Sequence, residues 1–429
     1  MPTENYISLH VRKTKFSNLL YCSILLWIFL LSGNYNFFGV GIYPPLYLSL
    51  LSPFFWNKKL LFDFRLLLLF GLIFLTISLS SIIIYRSESI TIMIYIRFFF
   101  KTFMFPLLSG IFIAGLIRKM KFDSQDISKM IVLVFVFQII LTVIQLTNES
   151  FRTIFFSMVE LAPNWKLLAE NGHFRATGLA GLSIYDTSIS YALLALLLSP
   201  LAKGTRNYER LFFIIGILSS IILCLISGRT GFILLTITLM HLFWLCPWKR
   251  HLTIFIIFAI SCSYLFVMFI IGLDDLNFAL KFMLKPFISL VQTGTVVSSS
   301  TTQLFDEYIF MPWSVNPIFG DGVWAQPSVA QYLNYKYRTD SGILLFFIAF
   351  GVFGLVLCVS MFLSYLFYFK VIFFQYGKTL YNYISYSCFI LISMFLLLKA
   401  PFILSEKVIS TLIFTIIFLH IKNNSPRFV

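Results

Sequence analysis

The sequence predicts an all-α polytopic membrane protein with about 12 transmembrane helices and a large outer loop between helices 9 and 10. Three observations support this prediction. Hydrophobic residues make up 59% of the 429 residues. Charged residues make up only 11%, whereas soluble domains have about 25%. Apolar runs long enough to cross a bilayer recur along the chain. This composition excludes ordinary cytosolic enzymes, disordered proteins and nucleic-acid-binding modules.

Twelve segments approach the roughly 20 apolar residues that a helical crossing needs. They are approximately residues 18–38, 41–56, 65–85, 93–117, 128–147, 183–202, 211–227, 230–247, 252–272, 340–369, 379–398 and 403–421. The second is short and contains Pro44, Pro45 and Pro53, so we expect it to be broken or re-entrant. The tenth is longer than the bilayer is thick, so it should tilt or extend into water.

The distribution of basic residues predicts the orientation. The chain carries 32 Lys and Arg against 17 Asp and Glu, a net charge of +15. If the N-terminus lies in the cytoplasm, nineteen basic and only five acidic residues fall on the cytoplasmic side. This asymmetry follows the positive-inside rule and places both termini inside. The chain is then one transmembrane domain, residues 1–429, with two long outer segments at 148–182 and 273–339.

Charged residues within or beside the apolar segments are candidates for function, because a charge at membrane depth costs several kcal/mol on insertion scales. Arg97 and Lys101 are four residues apart, so they share one helix face near the outer end of the fourth segment. Their side chains either extend to the membrane interface or form a binding site for an anion.

Three arginines reach the outer face from separate parts of the sequence. Arg175 precedes the sixth segment, Arg229 lies in the hairpin after the seventh, and Arg338 ends the large outer loop. Guanidinium groups bind phosphate through paired hydrogen bonds and stay charged. Each alone could equally be an interfacial anchor. His173, the one outer-face histidine, is either an ordinary loop residue or part of the same site.

Asp340 begins the tenth segment, two residues after Arg338. A carboxylate in that place either removes a proton from a hydroxyl group or accepts hydrogen bonds from a helix N-terminus. Asp186, near the start of the sixth segment, has the same two interpretations. Trp313, Trp324 and Tyr332 in the large loop either stack on sugar rings or mark the membrane interface.

The loops lack the signatures of soluble catalytic domains. There is no glycine-rich phosphate-binding loop with a lysine, no His-Glu-x-x-His and no nucleophile elbow. We therefore expect neither a metal nor a cofactor. Any reaction should use a substrate that is already activated and carried by a lipid at the outer face.

Four short motifs occur in a characteristic order. They are Arg-Ala-Thr-Gly at 175–178, Ser-Gly-Arg-Thr-Gly at 227–231, Asn-Pro-Ile-Phe-Gly-Asp-Gly at 316–322, and Asp-Ser at 340–341 followed after nine residues by Gly-Val-Phe-Gly at 351–354. Together with the long late loop, this order resembles the bacterial O-antigen polymerase and O-antigen ligase group of membrane glycosyltransferases. The resemblance covers about residues 175–370. Asp340 stands where the ligase pattern has histidine, which favours the polymerase.

The resemblance implies an inner-membrane enzyme whose two long outer loops are periplasmic. It would transfer a growing glycan from undecaprenyl pyrophosphate to a lipid-linked repeat unit, without nucleotide sugar, metal or cofactor, and with inversion at the anomeric carbon. Its partners would be the undecaprenyl-pyrophosphate-linked oligosaccharide, membrane lipid and a chain-length regulator, with no nucleic acid.

In this interpretation Asp340 acts on the acceptor hydroxyl, and Arg229 and Arg338 stabilise the leaving group. The expected pyrophosphate-binding residues are Arg97, Arg175, Arg229, Arg338 and His173. Three alternatives remain: a ligase that transfers the glycan to lipid A–core, a flippase or other transporter for lipid-linked oligosaccharides, and a structural membrane protein.

Overall fold

The computed structural model describes residues 2–37, 40–85, 89–159, 178–180, 185–248, 310–326, 330 and 333–424. These residues are helical apart from turns and one antiparallel hairpin, β1 (Tyr35–Phe37) and β2 (Val40–Ile42). The helices before residue 249 are α1 (Pro2–Leu31), α2 (Pro44–Leu50), α3 (Lys58–Asp63), α4 (Arg65–Tyr85), α5 (Ser89–Phe99), α6 (Phe105–Lys119), α7 (Ser124–Thr147), α8 (Glu149–Met158), α9 (Tyr185–Leu196), α10 (Ser199–Ala202), α11 (Asn207–Ser227) and α12 (Arg229–Leu245). Those after residue 310 are α13 (Gly342–Phe374), α14 (Leu380–Lys399) and α15 (Glu406–Asn424).

Six helical stretches in the described ranges are long and apolar enough to cross a membrane. They are Arg65–Ile83, Ile92–Lys119, Ser124–Gln145, Asn207–Ser227, Gly342–Phe374 and Leu380–Lys399. Two shorter apolar helices cover Lys15–Leu31 and Thr230–Leu245. The predicted all-α, multi-pass membrane class is therefore confirmed, with six candidate crossings in the part of the chain that the structure describes. The count of twelve for the whole chain stays a prediction.

Two predicted crossings are not continuous helices. The segment 41–56 is divided into β2, α2 and a 3-10 turn at Ser52–Phe55, as its prolines suggested. The segment 183–202 is divided into α9 and α10, with Pro200 in the first turn of α10. Proline has no N–H to donate to the carbonyl four residues earlier, so a regular helix cannot continue through this point. The ninth predicted crossing, 252–272, lies outside the described residues.

The predicted outer segment 148–182 contains local structure. Helix α8 begins directly after α7, with the side chain of Asn148 accepting a hydrogen bond from the N–H of Phe151 (2.9 Å). A 3-10 turn follows at Gly178–Ala180. Residues 160–177 and 181–184, and most of the predicted segment 273–339, lie outside the described residues.

The chain divides into two compact units. The first consists of Met1–Asp63, Pro106–Pro247 and Ile413–Val429. Its centre is α9, in which Thr187 and every later residue are buried. This helix packs mainly against α12 and α11, while α7 packs against α11 and α1. Hydropathy predicted a crossing at 183–202, and the structure adds that most of α9 is enclosed by protein.

The broken segment after β2 lies beside α6 in the same unit. Ser109 Oγ donates a hydrogen bond to the carbonyl of Pro45 (2.6 Å). Ten residues further along the chain, the ring of Phe55 packs edge-on against Phe112 with 5.3 Å between centroids. Gly115 permits this approach, since a Cβ there would lie 2.4 Å from the Cβ of Phe55. Short helical pieces thus form this segment, in agreement with the expectation that it is broken.

Polar contacts of two aspartates join helices in the first unit. Asp126, in the first turn of α7, contacts Lys15 Nζ at 2.9 Å and Lys129 Nζ at 3.2 Å. Asp63, the last residue of α3, contacts His420 Nδ1 of α15 at 2.7 Å.

The second unit consists of Phe64–Phe105 and Trp248–Leu412. In it α13 packs against both α4 and α14. The many phenylalanines of the sequence supply much of this packing: Tyr365 of α13 lies against Phe369, Phe389 and Phe402, with ring centroids 5.0–5.7 Å apart. These ring contacts hold α13 against α14 and the turn that follows it.

Candidate active site

The motif at 316–322 docks onto a kink in α13. Gly351 has φ 61° and ψ −144°, so the helix is interrupted there. In a regular helix Val352 N–H would donate to the carbonyl of Ile348. Instead Val352 N–H donates to Pro317 O (2.9 Å), and Ile348 O accepts from Asp321 N–H (2.7 Å). The loop thus pairs with both the donor and the acceptor that the kink leaves without their helical partners. Two of the four sequence motifs are therefore in contact.

Two glycines make this docking possible. A Cβ on Gly320 would lie 2.4 Å from the backbone N of Phe350, and one on Gly351 would lie 2.5 Å from the backbone C of Ile318. Both glycines have positive φ, 67° and 61°, a conformation that side chains disfavour. The glycine spacing that carries the resemblance therefore has a packing function here.

Further contacts anchor the docked loop within the second unit. The hydroxyl groups of Ser81 and Tyr95 donate to the carbonyls of Phe319 and Gly322, each at 3.1 Å. Trp324 is buried among aromatic rings of α4, α5 and α13, namely Phe74, Phe98, Phe346 and Phe350. Trp324 is therefore packed into protein and is not a platform for a sugar. Trp313, by contrast, is 87% exposed, and Tyr332 lies outside the described residues.

Asp321 holds the loop in its folded form. Its carboxylate accepts hydrogen bonds from the Tyr335 hydroxyl (2.5 Å) and from Asn316 N–H (3.2 Å). The Asn316 side chain in turn accepts from the N–H groups of Ile318 and Phe319 (2.9 and 3.0 Å). This carboxylate is used structurally.

Asp340 has a different environment. It is half-buried and lies just before α13, whose N-cap is Ser341. No hydrogen bond to its carboxylate is found among the described residues, and both interpretations of this residue stay predictions. Burial raises the pKa of Asp340, while the positive charge of Lys399 opposes that rise. Backbone contacts fix this segment, because Thr339 N–H donates to Ala325 O (3.1 Å).

Arg338 and Arg97 are both exposed. Arg338 lies two residues before Asp340, in the segment that the docked loop holds. Arg97 lies four residues before Lys101, near the end of α5. The predicted sharing of one helix face stays a prediction, because Lys101 lies in the π-helix that follows. Both guanidinium groups are therefore accessible to a ligand from outside the protein.

A cluster of charges that the sequence did not predict lies in the second unit. Glu406 begins α15 and is 14% exposed, while its neighbour Lys407 is only 4% exposed. The Glu406 carboxylate lies 3.0 Å from Lys407 Nζ and 3.6 Å from Lys101 Nζ. The sequence did contain an indication of this cluster, because Glu406 and Lys407 both fall inside the predicted crossing 403–421. Buried charges in membrane proteins require a partner or a function.

Lys101 lies on an irregular turn. Residues Phe100–Met104 form a π-helix, in which Phe105 N–H donates to the carbonyl of Phe100. Pro106 explains the irregularity, since it cannot donate a hydrogen bond to Thr102. Wide turns of this kind often occur at functional sites in helices.

Two sets of charged residues are linked in the second unit. Lys101 and Lys407 both contact Glu406, and the charge of Lys399 acts on Asp340. Gly342 at the start of α13 also packs on the end of α14, because a Cβ there would lie 2.5 Å from Leu397 O. The start of α13 and the end of α14 therefore lie together.

The first unit holds the remaining motifs. Arg229 is the first residue of α12. Two residues later, Gly231 N–H donates to Ser188 Oγ (3.1 Å), and a Cβ on Gly231 would lie 2.2 Å from the carbonyl of Ser188. The hairpin is therefore packed onto the first turn of α9. Asp186, half-buried, belongs to the same turn.

Gly178, the last residue of the motif at 175–178, is clamped onto α7. It has φ 57°, its N–H donates to Gln145 Oε1 (3.0 Å), and its carbonyl accepts from Gln145 Nε2 (3.2 Å). The next residue, Leu179, donates its N–H to Gln138 (3.2 Å). Arg175 and His173 lie outside the described residues.

The predicted site residues thus fall into two groups. Arg97, Arg338 and Asp340 belong to the second unit, and Arg229 belongs to the first, so their convergence on one pyrophosphate stays a prediction. No protein-family model matches the chain, and no curated protein is similar to it at a significant level.

Proposed function

We propose that the chain is an inner-membrane glycosyltransferase of the O-antigen polymerase type. The observation that carries this proposal is the docking of the motif at 316–322 onto the kink at Gly351. Two motifs chosen from the sequence for their order and spacing are also partners in space. The segment that they fix ends in Arg338 and Asp340, and the exposed guanidinium group of Arg338 suits a pyrophosphate.

The proposed topology has twelve crossings, both termini in the cytoplasm, and periplasmic segments at 148–182 and 273–339. One part of it has support: the ion pair between Lys101 and Glu406 (3.6 Å) and the effect of the Lys399 charge on Asp340 fit a topology that puts these four residues on one side of the membrane. The alternation of crossings assigns all four to the outer face.

In the proposed reaction the acceptor hydroxyl of the lipid-linked repeat unit attacks the anomeric carbon of the growing glycan. Asp340 takes the proton from that hydroxyl, a new glycosidic bond forms, and the bond from the anomeric carbon to undecaprenyl pyrophosphate breaks. A half-buried carboxylate with a raised pKa is a stronger base than an exposed one. Arg97 and Arg338, with Lys101 and Lys407 of the same unit, stabilise the negative charge on the departing pyrophosphate.

A strain without the protein tests the proposal. Its lipopolysaccharide should carry a single repeat unit on the core, because a polymerase is missing while transfer to the core continues. An uncapped core would indicate a ligase or a flippase instead. An assay of the purified protein in detergent distinguishes a polymerase from a flippase. A polymerase lengthens defined lipid-linked repeats, whereas a flippase leaves them unchanged.

Replacement of Arg338 should lower the rate of polymerisation. Arg338→Ala removes a proposed pyrophosphate contact, and loss of one such donor costs roughly 10²–10³ in rate. The measurement is the rate of glycan lengthening in detergent, and in cells the loss of long chains from the lipopolysaccharide ladder. Lys336→Ala is the matched control, since Lys336 is an exposed cation two residues away. Equal activity of the two variants would contradict the assignment of Arg338.

A further inference from the structure

A surface cavity of about 440 Å³ lies in the first unit, where the 3-10 turn after α2 and the residues that follow it meet the C-terminal end of α6. Its lining includes Phe54, Trp56, Lys58, Gly115, Arg118 and Lys119. A volume of this size is in the range of small-molecule sites. None of the proposed catalytic residues lines it.

The cavity is cationic. Lys58, Arg118 and Lys119 are all exposed there, and its described lining contains no carboxylate. Lys119 Nζ also lies 5.9 Å from the centre of the Phe55 ring, which directs this ammonium group towards the turn. One arginine and two lysines around a single concave surface suit a phosphate group, which Arg binds through paired hydrogen bonds.

Exposed aromatic side chains border the same cavity. Phe54 is 81% exposed and Trp56 is 53% exposed. Large rings that protein does not cover, next to basic residues at the end of an apolar helix, are typical of the level where headgroups meet acyl chains. The cavity therefore combines a site for a phosphate with an apolar surface for the chains attached to it.

We propose that this cavity binds the phosphodiester headgroup of an anionic phospholipid such as phosphatidylglycerol. Arg118 and Lys119 would contact the phosphate, Lys58 would neutralise its remaining charge, and the rings of Phe54 and Trp56 would contact the acyl chains. Basic pockets beside transmembrane helices bind anionic headgroups in this way. This proposal does not depend on the enzymatic activity proposed above.

The test is native mass spectrometry of the full-length protein in a neutral detergent, titrated separately with phosphatidylglycerol, phosphatidylcholine and undecaprenyl phosphate. We expect phosphatidylglycerol to bind more tightly. The double variant Arg118→Gln/Lys119→Gln should weaken phosphatidylglycerol binding roughly fivefold for each charge removed, or about 25-fold in total. Trp56→Ala should weaken it without a change in charge.

The matched control is Lys370→Gln/Lys378→Gln, which removes two exposed lysines of the second unit, from the end of α13 and the turn after it. This control should bind phosphatidylglycerol as the wild type does. Equal losses in the two double variants would mean that only net charge matters, and would overturn the proposal. Tighter binding of undecaprenyl phosphate, lost in Arg118→Gln/Lys119→Gln, would assign the cavity to the glycan carrier and would overturn it too.

Discussion

The two aspartates near the end of the large loop show how surroundings decide what a carboxylate does. Asp321 accepts hydrogen bonds from Tyr335 and Asn316 and holds the loop together. Asp340 is half-buried, its pKa is raised by that burial, and Lys399 opposes the rise. Sequence reasoning selected Asp340 for its position before the tenth segment. The structure adds its partial burial and the nearby charge of Lys399, on which the proposed role in proton transfer draws.

We expect Asp340→Asn to separate activity from stability. The variant should lose glycan lengthening, because asparagine cannot take a proton, while its thermal unfolding temperature near neutral pH should be equal to or above that of the wild type. The raised pKa means that the ionised side chain is disfavoured in the folded state. The stability of the wild type relative to Asn should fall as pH rises through that pKa. A variant that is unstable and inactive would instead indicate a structural role.

Lys399 provides a test of the pKa itself. Its positive charge lowers the pKa of Asp340, so Lys399→Gln should raise that pKa. Because the reaction needs the ionised carboxylate, the rising limb of the pH–rate profile should move to higher pH. The control is Lys370→Gln, an exposed lysine at the other end of α13. An unchanged profile in Lys399→Gln would argue against Asp340 as the base.

At the scale of elements, the kink in α13 is the feature that hydropathy alone could not predict. The apolar run 340–369 predicts one long crossing, and the structure has a helix of similar length, Gly342–Phe374. The sequence shows the glycines at 320, 322 and 351, but it does not show that the loop around the first two packs on the third. Spacing along the chain carries no information about which distant backbone segments are in contact.

A graded series of alanine substitutions tests this docking. Gly351→Ala should lower the thermal unfolding temperature most. It combines a φ of 61° with a ψ of −144°, a strained backbone that costs a side chain roughly 1–3 kcal/mol, with a backbone clash at 2.5 Å. Gly377→Ala should have a smaller effect, because φ is 121° but nothing lies within 4 Å. Gly41→Ala, with open space and no positive φ, should have the least. An equal effect at all three would show that the clash with the loop does not matter.

At the scale of the whole molecule, composition and hydropathy were sufficient to predict a helical membrane protein, and charge asymmetry gave an orientation. They did not distinguish helices that face lipid from helices enclosed by protein, because both are apolar, as α9 shows. They also did not pair Lys101 with Glu406, whose contact joins residues far apart in sequence.

The orientation can be measured by cysteine labelling in intact cells. Lys336→Cys in the large loop should react with a membrane-impermeant maleimide, because we propose that this loop is periplasmic. Lys378→Cys, between α13 and α14, should react only after the cells are opened. Both positions are exposed, so access to reagent depends on the side of the membrane, and the unmodified chain gives the background. The reverse pattern would invert the proposed topology.

Helix α9 also has a consequence for biogenesis. Its twelve residues extend about 18 Å, less than the hydrocarbon thickness of about 30 Å, and they include Thr187, Ser190 and Tyr191, all enclosed by neighbours. Two of those neighbours, α11 and α12, are synthesised later. When α9 has left the ribosome and these two helices have not, α9 is therefore not stable in lipid. We expect this segment to wait at the translocon until the following hairpin arrives and they can enter the bilayer together.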